Sequence, residues 1–258
     1  MRQRDLETAA WTWLPPAAFA AALALLWITG ANEAWFHRIN GWSSVTGLRV
    51  WADVTIFGDA LVLLGLALPI LWYRPRWAWG LVAAALITTL VTHTIKPWLA
   101  MPRPAAVLGA DAITIIGPVL RAKAMPSGHA AAALTLAGAL VPLMKSRSAR
   151  FIILSVAVLV AVSRVVVGAH WPVDVMAGAL IGWLSGMISL RLMGDRKWMT
   201  NRAAVSVLTL IFAGCAIDLF FMRSGYPGTY ALQACVAVVS LGFVVPIVRR
   251  SWSPMTET

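Results

Sequence analysis

Charged residues are scarce in this sequence. Asp, Glu, Lys and Arg make up 12% of its 258 residues, whereas a soluble domain usually carries about 25%. Hydrophobic residues make up 60%, above the roughly 45–50% that is usual in soluble domains. This composition excludes an ordinary soluble domain and is typical of a membrane protein.

Acidic residues are the rarer charged kind, with 10 Asp and Glu against 21 Lys and Arg and a formal net charge of +11. Such an excess can indicate nucleic-acid binding when the basic residues form one stripe. Here they lie in short clusters between apolar runs, which is how topology-determining charges are distributed in membrane proteins. We therefore expect the membrane as a partner and no nucleic acid.

Cysteine is also rare. Cys215 and Cys235 lie in separate apolar runs and form no CxxC pattern. We interpret them as buried small hydrophobic residues, with a disulfide or a metal site as the less favoured alternatives.

Long apolar stretches are what the sequence has in abundance. A spanning helix needs about 20 mostly apolar residues. Eight stretches come close to this length: 11–30, 55–73, 77–95, 129–145, 150–169, 174–193, 203–222 and 231–248. The second has Asp59 near its start, and the fourth is short. Residues 31–54 mix Trp with charged residues, as interfacial segments do. The predicted fold class is all-α, a polytopic membrane helical bundle.

Counting basic residues orients the bundle. With the N-terminus in the cytoplasm, thirteen of the 21 basic residues fall on the cytoplasmic side and eight on the other. The positive-inside rule then places both termini in the cytoplasm. A signal peptide cleaved near Ala31–Ala34 is the less favoured reading of the first stretch, because that stretch is long and continues into the interfacial segment. The Trp residues at the ends of the stretches, Trp98 and Trp171 among them, are interpreted as interface anchors.

Three polar clusters fall on the non-cytoplasmic side of this topology. They are KPWLAMPRP at 96–104, AMPSGHA at 124–130 and SRVVVGAHWPVD at 163–174. Lys96, Arg103 and Arg164 supply fixed positive charge, which is too much for a cation site and suits an anion with several oxygens. Phosphate is the obvious candidate, because Arg grips its oxygens bidentately and Lys adds a point charge. We expect no metal ion and no cofactor.

The PSGH turn adds a second device for binding an anion. It is predicted to open a helix, whose N-terminus presents unpaired N–H groups and a partial positive charge. Gly128 lets the backbone approach a phosphate closely. Ser127 can donate from its hydroxyl or cap the helix.

His170 and Asp174 supply the reactive groups. They are four residues apart at the start of the sixth stretch. A carboxylate bonded to one imidazole nitrogen fixes the tautomer and leaves the other nitrogen free to attack. His129 can then protonate the departing oxygen.

These residues resemble the three signature motifs of the type-2 phosphatidic acid phosphatase superfamily, at the family spacing and in the family order. The motifs here are Lys96-x6-Arg103-Pro104, Pro126-Ser127-Gly128-His129 and Ser163-Arg164-x5-His170-x3-Asp174. The resemblance covers roughly residues 55–193. It implies an N-terminal helix and interfacial segment over 1–54, a phosphatase core over 55–193, and a two-helix extension over 194–258 beyond the usual six-helix core.

The resemblance implies a metal-independent membrane lipid phosphatase that acts through a phosphohistidine at His170, with His129 as acid and Asp174 orienting His170. The phosphate would be held by the remaining motif positions, Lys96, Arg103, Ser127, Gly128 and Arg164. The expected location is a bacterial inner membrane, with the site on the periplasmic or outer face.

Several alternatives stay open. Undecaprenyl diphosphate is the favoured substrate, followed by phosphatidylglycerophosphate or phosphatidic acid, with lipid A a further candidate. A lipid phosphotransferase would use the same site, and a non-catalytic lipid-phosphate binding or transport protein would need the cations but not His170 and Asp174. Eight apolar stretches argue against a vanadate-dependent haloperoxidase.

Three further sets of polar residues are interpreted individually. His93 is assigned to packing. Arg121 and Lys123 contact a second phosphate or headgroup, or belong to a solvated loop. Asp218 is interpreted as structural.

Overall fold

The computed structural model describes residues 3–194 and 196–252, and all regular structure in these two ranges is helical. The first half contains α1 (Gln3–Thr29), α2 (Asn32–Asn40), α3 (Ser43–Thr46), α4 (Leu48–Thr55), α5 (Ala60–Gly65), α6 (Ala67–Tyr73), α7 (Pro75–Leu99) and α8 (Pro104–Val107). The second half contains α9 (Gly128–Leu140), α10 (Arg147–Val166), α11 (Pro172–Met193), α12 (Arg202–Asp218), α13 (Tyr230–Leu241) and α14 (Val244–Trp252).

The described helices form a polytopic membrane bundle. Five helical stretches are long and apolar enough to cross a membrane, or six if a pair bent by 64° counts as one span. The bent pair joins Leu48–Gly58 to Ala60–Tyr73, and it breaks where Asp59 accepts the N–H of Leu61 at 2.8 Å as a helix cap. The predicted second stretch is therefore no continuous helix, because a polar cap interrupts it. The fourth is a short apolar helix, Gly128–Leu143.

Short helix α9 lies at the centre of the bundle, packed against α7, α10 and α11. Its contact with α11 depends on three glycines spaced four apart, Gly178, Gly182 and Gly186. A Cβ atom on any of them would collide with the α9 backbone or with the turn before it. Small residues at this spacing let two membrane helices approach closely. The α11 glycines thus hold the start of α9 against the start of α11.

The segment 31–54 is less interfacial than its composition predicts. Asn40 is buried, and its amide donates to the carbonyls of Thr114 at 2.8 Å and Val166 at 2.9 Å. The side-chain oxygen Oδ1 of Asn40 accepts the N–H of Thr114 at 3.0 Å. Asn40 therefore ties α2 to the end of α10 and to the loop before α9.

Two other expectations were wrong. Trp171 is no interface anchor, because its ring is buried against Phe36 and its indole N–H donates to the carbonyl of Pro102 at 3.0 Å. The two cysteines are free, but Cys215 is only partly buried and Cys235 is exposed. Helix α13 buries the face that carries Gln233 and Val236, so Cys235 points away from the bundle.

The C-terminal part of the chain packs on the bent pair. Helix α12 contacts α5 and α6, and α13 and α14 pack beside it. Asp218 is the last residue of α12 and is exposed. The loop from 219 to 229 then turns back toward the ends of α4 and α10.

Candidate active site

The three predicted polar clusters meet at one end of the bundle. The backbone N–H of Ser127 donates to the main-chain carbonyl of Asp174 at 2.9 Å, which joins the turn before α9 to the first turn of α11. The indole of Trp171 joins α11 to Pro102, in the segment after α7. Helix termini that lie far apart in sequence are thus connected directly.

His170 lies between a carboxylate and a guanidinium. Its Nδ1 is 3.3 Å from Oδ2 of Asp174, and its Nε2 is 3.3 Å from Nη1 of Arg103. A carboxylate accepts and a guanidinium donates, so both contacts favour the neutral tautomer with the proton on Nδ1. The same Asp174 oxygen accepts the N–H of Trp171 at 2.9 Å, which fixes the carboxylate. This arrangement turns the protonated Nδ1 toward Asp174 and the Nε2 lone pair toward the Arg103 guanidinium.

The imidazole of His170 is kept neutral by its surroundings. Burial lowers its pKa well below the ordinary value of 6.5, and the positive charges of Arg103, Arg164 and Lys96 lower it further. A charged imidazole is disfavoured both by desolvation and by like charge. Both effects favour the neutral imidazole.

Arg103 is held by backbone carbonyls. Its Nε donates to Ala122 at 2.8 Å, its Nη1 to Ala169 at 3.0 Å and its Nη2 to Lys123 at 3.5 Å. The loop at 121–123 was predicted to offer a second phosphate contact or to be solvated. The side chains of Arg121 and Lys123 are exposed, as in a solvated loop, and the carbonyls of this loop also orient Arg103.

Arg164 is almost fully buried, with 2% of its surface exposed. Its Nη1 donates to the hydroxyls of Thr55 and Tyr226, the second at 2.6 Å. Its Nε is buried with no hydrogen-bond partner in the described part of the chain.

Lys96 is partly buried near the end of α7 and interacts electrostatically with Arg103, Arg164 and Asp174. The three predicted cations are thus grouped around His170.

The PSGH turn opens α9 as predicted. Ser127 is buried and caps the helix by accepting the N–H of Ala130 at 3.5 Å. A Cβ on Gly128 would meet no atom within 4 Å, so open space lies in front of this backbone. His129 packs closely against Gly58, which a side chain in place of the glycine would prevent.

A cavity of about 410 Å³ leads away from Gly128 and His129. It lies between the bent pair, α7 and α9, and along α7 it extends from His93 to Leu81. Leu81 and His93 are twelve residues apart on this helix, so the cavity is about 18 Å long. Its far part is lined by aliphatic side chains such as Leu64, Leu81 and Leu136. His93 was assigned to packing but is an exposed wall residue of this cavity.

Thr55 and Tyr226 are the contributions to the site that sequence reasoning missed. Thr55 ends a short helix outside the three motifs, and Tyr226 lies 62 residues beyond Arg164. Neither carries a local signal. The glycine spacing in α11, by contrast, is visible in the sequence and is a known sign of close helix packing.

The fold and the site define a polytopic membrane protein whose cationic, His-containing centre suits a phosphate ester. Residues 77–198 match the family model described as the PAP2 superfamily. The crystal structure of Aquifex aeolicus LpxE superimposes with a TM-score of 0.55 at 30% sequence identity, covering 62% of this chain and 94% of that one. The chain belongs to the PAP2 superfamily.

A second similarity is local. An undecaprenyl-diphosphatase from Sulfolobus acidocaldarius is 50% identical over 62 residues. These residues are 23% of this chain and 29% of that enzyme, so the match spans less than a third of the enzyme's length.

Proposed function

We propose that this protein hydrolyses a lipid phosphate or diphosphate without a metal ion, through a phosphohistidine at His170. The observation that carries the proposal is the position of His170, with Nδ1 on Asp174 and Nε2 beside Arg103. In the first step Nε2 attacks phosphorus and the bond from phosphorus to the lipid oxygen breaks. The negative charge of the bound phosphate favours protonated His129, which gives its proton to that oxygen. Asp174 stabilises the positive charge left on the His170 ring.

In the second step water attacks the phosphohistidine. His129, now neutral, takes a proton from the water while the phosphorus–nitrogen bond breaks and inorganic phosphate leaves. Arg103, Arg164, Lys96 and the helix start at Ser127 and Gly128 stabilise charge on the transferring group. Cations and imidazoles make up this donor set, and no group of three or more His, Cys, Asp or Glu that could hold a metal occurs in the described ranges.

We further propose that the lipid chain occupies the cavity between the bent pair, α7 and α9. Its aliphatic far end and its length of about 18 Å suit the part of a long hydrocarbon chain that is nearest to a phosphate beside His129. Undecaprenyl diphosphate is the favoured substrate, and its support is the local similarity to an enzyme of that name. Phosphatidylglycerophosphate, phosphatidic acid and lipid A are the alternatives.

The proposed location is a bacterial inner membrane, with both termini in the cytoplasm and the site on the periplasmic or outer face. The distribution of basic residues supports this orientation. The loop at 219–229 is consistent with it, because this loop joins α12 to α13 at the same end of the bundle as the site.

The test measures phosphate release by the detergent-purified protein from these four lipids, with EDTA present. Wild type is compared with His170→Ala and with His37→Ala, a control in which an exposed histidine is removed. We expect release by wild type and by the control, and none by His170→Ala. Release by His170→Ala equal to that of wild type would contradict the phosphohistidine. Phosphate that appears only when a lipid acceptor is added, and then on that acceptor, would indicate a phosphotransferase.

A further inference from the structure

We propose that Tyr226, in the loop between α12 and α13, is a positioning residue for Arg164, and that the C-terminal extension thereby completes the phosphate site. This inference rests on the proposed function. It gives the last part of the chain a role in the reaction, because that part supplies a contact to a motif residue from outside the matched family region, 77–198.

The contact is direct and buried. Nη1 of Arg164 donates to the Tyr226 hydroxyl at 2.6 Å and also to the Thr55 hydroxyl. The guanidinium carbon lies 5.7 Å from the centre of the Tyr226 ring. Arg164 is 2% exposed and Tyr226 is 9% exposed. Tyr226 therefore holds Arg164 both through its hydroxyl and through its ring.

These contacts leave one edge of the guanidinium for an anion. Nη1 is occupied by two hydroxyls, whereas Nε is buried and has no partner among residues 3–194 and 196–252. The edge formed by Nε and Nη2 can grip two oxygens of a phosphate side by side. Fixing Nη1 in advance reduces the side-chain freedom that Arg164 loses when phosphate binds.

Tyr226 is itself held firmly. Its N–H donates to the Ser224 hydroxyl at 3.1 Å, and its carbonyl accepts from the Thr229 hydroxyl at 3.0 Å. On the other side its ring covers Gly117, where a Cβ would lie 2.7 Å from two ring carbons. The loop therefore sets the position of the hydroxyl, and the hydroxyl in turn sets that of Arg164.

A small cavity of about 130 Å³ joins this contact to the reacting groups. Its lining includes Asp59, His129, Arg164, Ser224 and Tyr226. The extension thus forms part of the wall beside the proposed acid, His129. Tyr226 is therefore placed to act on the phosphate through Arg164.

The experiment uses Tyr226→Phe, which removes the hydroxyl but keeps the ring on Gly117. Its matched control is Tyr230→Phe, the same change at an exposed position of the extension. Three quantities are measured for the full-length protein in detergent: the Kd of inorganic phosphate, kcat/KM for the best lipid substrate, and Tm. Losing a hydrogen bond to a charged group should weaken phosphate binding and kcat/KM about tenfold to a hundredfold. The fall in Tm should be small, because Nη1 keeps its bond to Thr55, and the control should behave like wild type.

The double variant Arg164→Ala with Tyr226→Phe separates positioning from a merely structural role. If Tyr226 acts through Arg164, the double variant is no worse than Arg164→Ala alone. Wild-type phosphate affinity in Tyr226→Phe, or a loss that persists in the Arg164→Ala background, would overturn the inference. Failure of wild type to release phosphate would instead count against the proposed function, and phosphate binding would still test Tyr226.

Discussion

The backbone N–H of Ser127 lies 2.9 Å from the carbonyl oxygen of Asp174. This bond connects the turn that opens α9 with Asp174, whose carboxylate contacts Nδ1 of His170. It forms because Gly178, one turn along α11, has no side chain to keep Ser127 away. The distance between the proposed acid and the proposed nucleophile therefore depends on helix packing as well as on the motifs.

Gly178→Ala should damage both stability and activity. The added methyl group would collide with the Ser127 backbone, and overpacking of this kind costs about 1–3 kcal/mol. We expect a lower Tm in detergent and a lower kcat, because the turn carrying His129 must move away from Asp174. Gly214→Ala in α12 is the control, since a Cβ there meets no atom within 4 Å. Equal Tm values for the two variants would contradict this account of the packing.

Ala85→Trp should block the proposed lipid-chain cavity. Ala85 lines the cavity wall on α7. Excluding two or three methylene groups at about 0.8 kcal/mol each lowers kcat/KM for a long-chain lipid phosphate about 15- to 60-fold. Hydrolysis of a short-chain soluble phosphate ester should change little. Leu86→Trp is the control, because Leu86 is exposed on the outer side of α7. An unchanged kcat/KM for the long-chain substrate would mean that the chain binds elsewhere.

The lowered pKa of His170 predicts a dependence of stability on pH. In the folded protein burial and nearby cations hold this pKa well below 6.5, whereas in the unfolded chain it returns to about 6.5. Between these two values the unfolded state binds more protons, so stability rises with pH and is lost as the pH falls below about 6.5.

The measurement is Tm in detergent at pH 7.5 and at pH 5 for wild type, His170→Gln and His37→Gln. We expect the drop in Tm on acidification to be smaller in His170→Gln than in wild type. His37→Gln is the control for removing an exposed histidine. A drop of the same size in His170→Gln as in wild type would show that His170 is not held neutral.

The membrane class, the all-helical fold and the grouping of the three motifs could be predicted from the sequence. Runs of about 20 apolar residues are a local property, and motif spacing is read directly along the chain. The break at Asp59 has a local signal too, because a carboxylate in an apolar run tends to cap a helix. Treating that run as one helix was the error.

Other features depend on residues far apart. Asn40 and Trp171 have the polarity of interface residues, yet the bundle buries both and satisfies their hydrogen bonds with backbone carbonyls. Arg103 gets its orientation from carbonyls of Ala122 and Ala169, and a carbonyl carries no sequence signal. Any residue type can supply such a partner, so composition does not predict it.

The sequence by itself determined which groups are available for chemistry: two histidines, one carboxylate and three cations in ordered motifs. Only the tertiary structure decided how they face one another. It placed Nε2 of His170 beside Arg103, and it brought Tyr226 from the extension to Arg164. The physical reason is that hydrogen bonds act over about 3 Å. Whether two groups come within that distance depends on how the helices between them pack.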